Sequence, residues 1–188
     1  VKDGDVINLT DDYTYSDSDN GTVGNEGVSI SKNITIDGKG YTLDASNKSS
    51  IFDIKGNSHV IFKNITFTNG YTNGSGGAIK VESGSSIELI DCTFSNNFAA
   101  NYGGAIFINS DSLTSVSLIS SSTFTDNTAI NGSAIYVMGS SVNISSSVFT
   151  NNLAKAYGGS LYVDGVLHIN LTTFNSNRAA NGSAIFLN

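Results

Sequence analysis

Acidic side chains are the first residues to weigh for chemistry. Two carboxylates converging on one atom can do acid–base work, and several oxygen ligands on one loop can hold Ca²⁺. The one adjacent acidic pair of interest is Asp11-Asp12, near the start of the chain. Glu82, Glu88, Asp91, Asp111, Asp126 and Asp164 fall at different places relative to the repeated motif described below, so they do not converge on one substrate atom. His168 and the single arginine, Arg178, share one stretch without a matching acid. Asp17-Ser18-Asp19-Asn20-Gly21 alternates oxygen ligands as a calcium loop does. It lacks the closing Glu and the spacing of such a loop, so Asp17 and Asp19 read as part of a solvated acidic turn. No catalytic residue, metal or cofactor is assigned.

Aromatic residues carry the stronger signal. Phe107, Tyr136, Tyr162 and Phe186 each stand between two apolar residues just after a Gly-Gly or Gly-Ser step. Lys80 holds the same place in an earlier copy and marks it as outward-facing. Four exposed aromatics in one row would offer flat faces to sugar rings or to a protein partner. The competing reading is that stacked aromatics simply suit a sheet.

The elements that would position this row come from an internal repeat. Phe67, Phe94, Phe124, Phe149 and Phe174 are spaced 27, 30, 25 and 25 residues apart. Each heads a Phe-x-x-Asn or Phe-x-x-Gly step, and each is followed by a Gly-Gly-Ala-Ile-like step. Taking each Phe as zero, position −5 reads Phe62, Leu89, Ile119, Ile144, Ile169, and position −7 reads Val60, Ile87, Ser117, Val142, Leu167. Val116, beside the discrepant Ser117, suggests a bulge in the longest repeat. Position −2 reads Ile65, Cys92, Ser122, Ser147, Thr172 and is also inward, whereas Ile61, Glu88, Leu118, Asn143 and His168 form a solvated column. Alternation with a period of two means strands.

Three short strands in about 25 residues, with polar turns, make one rung of a parallel β-solenoid whose rungs stack at roughly 4.8 Å. The five Phe residues would then stack in the core. Asn97, Asn127, Asn152 and Asn177 would form a ladder at a corner, where Asn tolerates left-handed backbone. Residues 1–27, rich in Asp, read as an N-terminal cap. Residues 28–188 read as about seven rungs, truncated at the C-terminus, and hence as a piece of a longer polypeptide. Thr66/Thr68, Thr93/Ser95 and Thr123/Thr125 would flank the Phe column as an outward Thr-x-Thr array. It resembles an ice-binding face but decays at Val148 and Asn175.

The chain has 188 residues, net charge −7 and no proline. The charge argues against nucleic acid or an anionic membrane surface as partner. The single Cys92 cannot form an internal disulfide and packs as a small hydrophobe. Ten Asn-x-Ser/Thr sequons, at Asn8, Asn20, Asn33, Asn47, Asn64, Asn73, Asn131, Asn143, Asn170 and Asn181, are compatible with an exported glycoprotein.

Phe-x-x-Asn alternating with Gly-Gly-Ala-Ile resembles the repeats of chlamydial-type polymorphic membrane proteins, and more closely the adhesin-like surface proteins of methanogenic archaea. Both belong with the right-handed, single-stranded parallel β-helices of the pectin-lyase-like group. Asn33-Ile-Thr-Ile-Asp-Gly-Lys-Gly-Tyr-Thr-Leu and Phe62-Lys-Asn-Ile-Thr-Phe-Thr-Asn-Gly are similar to opening rungs of that group. The resemblance implies an all-β fold and an extracellular, surface-anchored adhesive domain whose partner is a glycan or surface protein of another cell. The group also contains polysaccharide lyases and hydrolases. The Gly-His-Gly and Arg-Ile-Lys series of the hydrolases is absent here, so an enzyme is the alternative reading and a structural spacer the third.

Overall fold

A computed structural model describes residues 1–19, 26–110 and 115–188. Asp111 and the Asn20-Gly21 part of the acidic turn lie outside the described residues. The chain coils as a right-handed parallel β-helix of seven rungs, all strand pairings being parallel. Face I stacks Val6–Asn8, Ile34–Asp37, His59–Lys63, Ser86–Ile90 and Val116–Ser120, then the second halves of Ile135–Ser145 and Leu161–Asn170. Face II stacks seven strands, from Tyr13–Thr14 and Thr42–Asp44 through Thr66–Thr68, Thr93–Ser95, Thr123–Thr125 and Val148–Thr150 to Thr173–Asn175. Face III runs from Val28–Ile30 and Phe52–Ile54 through Ile79–Val81 and Ile106–Asn109 to Ile185–Leu187, and includes the first halves of the two long strands.

A fourth ladder was not expected. Tyr71–Thr72, Phe98–Ala99, Thr128–Asn131 and Leu153–Tyr157 pair along the corner between faces II and III. The segment expected as a cap is built as a rung: Val6–Asn8 pairs with Thr35–Asp37, and Tyr13–Thr14 with Leu43–Asp44.

Inside, like sits on like. Phe67, Phe94, Phe124, Phe149 and Phe174 stack with centroids 4.6–4.9 Å apart and near-parallel rings. That spacing matches the distance between rungs, about 4.8 Å, so one ring per rung stacks in register through the core. The Val116 bulge does not form. Ser117 keeps the inward register, pairing with Val142, and its Oγ accepts the Ile87 N–H at 3.3 Å, while Val116 points to solvent. The position −2 column becomes a second polar ladder. The Ser122 and Ser147 hydroxyls each donate to the carbonyl two residues back at 2.8 Å, and the Cys92 thiol does the same to Ile90 at 3.4 Å.

The asparagine ladder forms, but its backbone logic differs from the expectation. The left-handed residue is one position earlier: Asn69, Asn96, Asp126, Asn151 and Ser176 all have φ between 52° and 55° or thereabouts. They turn the chain, and the following Asn is thereby aimed inward, where its amide hydrogen-bonds. Asn127 Nδ2 donates to Phe94 O at 3.1 Å and to Asn152 Oδ1 at 3.0 Å. Its Oδ1 accepts from Asn97 N at 3.1 Å and Asn97 Nδ2 at 2.9 Å.

Candidate functional site

The aromatic column stands where the repeat put it, on the outer side of face III. Phe107 pairs with Tyr136, Tyr136 with Tyr162, and Tyr162 with Phe186. Its exposure differs from the expectation. Phe107 and Tyr136 are only 8% and 7% exposed, and Tyr162 and Phe186 are half-buried. Two tyrosines from the corner cover them. Tyr102 stacks on Tyr136 with centroids 4.6 Å apart, and Tyr157 lies 4.8 Å from Phe186 and edge-on to Tyr162. Tyr136 and Tyr162 stack at 4.4 Å and 3°. Burial, with the neighbouring Tyr162 and Tyr102, pushes the Tyr136 phenol well above its ordinary value.

The accessible part of the site is therefore the corner row. Tyr102, Asn131, Tyr157 and Asn181 pair in sequence from rung to rung. Each stands immediately before a glycine with φ near 60°: Gly103, Gly132, Gly158 and Gly182. The left-handed glycine turns the chain sharply into face III, so the residue before it is left at the rim. Tyr157 is 39% exposed and Asn181 exposed, while Tyr102 and Asn131 are half-buried. The two tyrosines are two rungs apart, about 10 Å by the rung spacing, with an amide between them. Aromatic faces alternating with amides suit stacking against apolar ring faces and hydrogen bonding to hydroxyls. Sequence reasoning missed this row because it looked within strands. The signal was present: after Ser75 in the first copy, the residue before the repeat glycine reads Tyr, Asn, Tyr, Asn.

The same outward column turns polar toward the N-terminus, as Ser29, Asp53, Lys80. Asp53, also missed, is 1% exposed; its Oδ2 takes the Lys55 ammonium at 3.0 Å and its Oδ1 has no hydrogen-bond partner. Lys80 binds Glu82 at 2.5 Å; burial opposes its charge, but that bond and the nearby carboxylates outweigh it and raise its pKa.

The other acids are dispersed. Glu88 sits 3.9 Å from His59 on face I, Asp91 and Asp126 occupy exposed left-handed turns, and Asp164 is exposed beyond Tyr162. Asp12 caps the Thr42 N–H at 2.7 Å. Asp17 pairs with Lys48 at 2.6 Å, and Asp19 accepts from Ser16 N and the Tyr13 hydroxyl, both at 2.7 Å. These bonds hold both carboxyls below their ordinary range: the Lys48 bond for Asp17, and chiefly the Ser16 main-chain bond for Asp19. Among the described residues no three His, Cys, Asp or Glu side chains come together in a way that could hold a metal. His168 is exposed on face I, and Arg178 bridges to Leu153 at the corner. The Thr rows of face II are in register, and Val148 interrupts one of them.

No curated protein and no solved structure matches the chain. A family model, described as a right-handed beta helix region, matches residues 15–175, from just after the first strand of face II to the last strand of face II. With seven stacked rungs, three faces and that match, the chain belongs to the right-handed β-helix family.

Proposed function

We propose that this chain is a non-catalytic, adhesin-like domain of an extracellular surface protein, of the kind its repeats resemble in methanogenic archaea and in chlamydial polymorphic membrane proteins. In this reading it forms part of a longer surface-anchored polypeptide and binds glycans of a partner cell or host. The observation that carries the reading is the corner row, in which Tyr102 and Tyr157 stand over a packed aromatic layer and alternate with Asn131 and Asn181. Rings held by stacking underneath are pre-ordered, so a ligand does not bear the cost of fixing them.

The test is a glycan array probed with the protein and with a Tyr102→Ala, Tyr157→Ala variant, circular dichroism confirming the fold of both. Each lost ring is expected to weaken binding up to about tenfold. A variant that binds as the parent does sinks the corner row as the site. The alternative, a polysaccharide lyase or hydrolase, is favoured by Asp53 with its unpartnered oxygen beside Lys55 and Lys80. It predicts polysaccharide turnover that Asp53→Asn abolishes, whereas the adhesive reading predicts none.

A further inference from the structure

A cleft of about 280 Å³ opens at the corner near the N-terminal end, lined by Glu26, Lys48, Tyr71, Thr72, Asn73 and Gly74. Its size falls just below the usual range for ligand clefts, about 300–1,000 Å³, which fits one sugar ring better than a chain. Tyr71 is the first ring of its column. Phe98 stacks on one side of it at 5.2 Å and 14°, and the rung on its other side supplies Ser49, whose carbonyl takes the Tyr71 N–H, beside Lys48. Among the described residues, the ring face turned toward that rung therefore has no aromatic partner.

Polar groups surround the ring. The Tyr71 hydroxyl donates to Asn73 Oδ1 at 3.0 Å, which fixes the side-chain amide with its Nδ2 as a donor that has no acceptor among the described residues. The Lys48 ammonium is neutralised by Asp17. Glu26 is exposed and makes no hydrogen bond or ion pair among the described residues. Asp17 offsets Lys48, and Glu82 offsets Lys80, the other ammonium whose charge Glu26 supports, so Glu26 leaves the cleft negative in a chain that is itself negative.

We propose that this cleft is a second saccharide site, separate from the corner row, that takes a single neutral or amino-bearing pyranose and rejects acidic sugars. Tyr71 supplies the platform for the apolar ring face. Glu26 accepts from hydroxyl or ammonium groups, and Asn73 donates to ring or hydroxyl oxygens. The proposal shares with the proposed function only the class of ligand.

The test is saturation-transfer NMR with three probes: methyl glucoside, methyl glucosaminide and methyl glucuronide. The first two are expected to bind, and the glucuronide at least about tenfold more weakly. Tyr71→Ala should weaken binding about tenfold, and Leu118→Ala, at an exposed face I position away from both sites, should leave it unchanged. Glu26→Gln, a surface change that does not threaten folding, should bring the glucuronide within about threefold of the glucoside. Equal binding of the glucuronide by the parent protein overturns the proposal. So does absence of transfer from all three probes, or a loss caused by Tyr157→Ala and not by Tyr71→Ala. Loss of array binding through Tyr157 with the monosaccharide signal intact would leave both sites standing. An inert array with an intact Tyr71-dependent signal would sink the corner row alone.

Discussion

Removing the side chain of Asn127 should do more damage than its size suggests. Asn127 is fully buried in the middle of its ladder, and Asn127→Ala deletes four hydrogen bonds at 2.9–3.1 Å. Two of the affected groups keep another partner: Asn97 Nδ2 still donates to Phe67 O, and Asn152 Oδ1 still accepts from Asn127 N. The Asn97 main-chain N–H loses its acceptor in a site that water does not reach. An orphaned buried donor costs about 1–3 kcal/mol and each further bond about 0.5–1.5 kcal/mol. The sum spans about 2.5–7.5 kcal/mol, and its midpoint of about 5 kcal/mol lies at the upper end for a single substitution. Asn177→Ala is the control. It makes the same kinds of bond, to Phe149 O and from Asn152, but is half-buried, so water can replace them and the expected cost is about 1 kcal/mol. Urea unfolding followed by circular dichroism gives the ranking. Because repeat arrays need not unfold in one step, amide hydrogen exchange gives the local test: the Asn97 amide should lose protection first. If Asn127→Ala costs no more than Asn177→Ala, or leaves the Asn97 amide as protected as before, the ladder is not holding the rungs together.

Other outcomes follow from the same geometry. Burial pushes the Cys92 thiol up to about 11, so a thiol reagent at pH 8 should leave the folded protein unmodified and react fully in urea. Cys92→Ser should change stability by less than about 1 kcal/mol, since Ser122 and Ser147 make the same bond one and two rungs on. Tyr15, whose hydroxyl donates to Ile51 O, has its pKa raised by burial to about 12, against about 10 in an unfolded chain. The folded state thus holds a proton that the unfolded state releases; stability is whole below pH 10 and falls as pH climbs toward 12. Absorbance at alkaline pH should show Tyr15 ionising at higher pH in the folded protein than in urea, and the urea midpoint should drop over the same interval. Gly103→Ala places a Cβ against the Ile106 carbonyl at a left-handed φ of 61° and should cost about 1–3 kcal/mol by thermal melting.

The fold was readable because a solenoid writes its third dimension into the sequence. Residues one period apart are neighbours across a rung, so the Phe, Asn and Ile columns of the core stand in the sequence as plain recurrences. The fourth ladder was harder to see, since Tyr71–Thr72 and Phe98–Ala99 are two-residue strands with no alternation to detect. Face direction was also readable: Lys80 marked the aromatic column as outward, and it is. What covers an outward column depends on the length and angle of side chains in the turn beside it. Tyr102 and Tyr157 reach over Phe107, Tyr136 and Tyr162 from a corner whose residues follow no strand period. Asp53 escaped notice for a related reason. Its rung lacks the glycine pair by which the later copies were aligned, and only the pairing of Phe52–Ile54 with Ile79–Val81 places it beside Lys80.

The two long strands, Ile135–Ser145 and Leu161–Asn170, pass from face III to face I with no loop between them. A rung can thus close in the shorter period, turning from face III to face I without a loop. Duplicating or deleting one repeat's codons leaves every ladder in step, because each rung accepts as its neighbour a near-copy of itself. The corner between faces III and I can carry inserted segments of unrelated sequence at no cost to the stack. Length and loop content can then diversify from one lineage to the next while the rod that displays them stays the same.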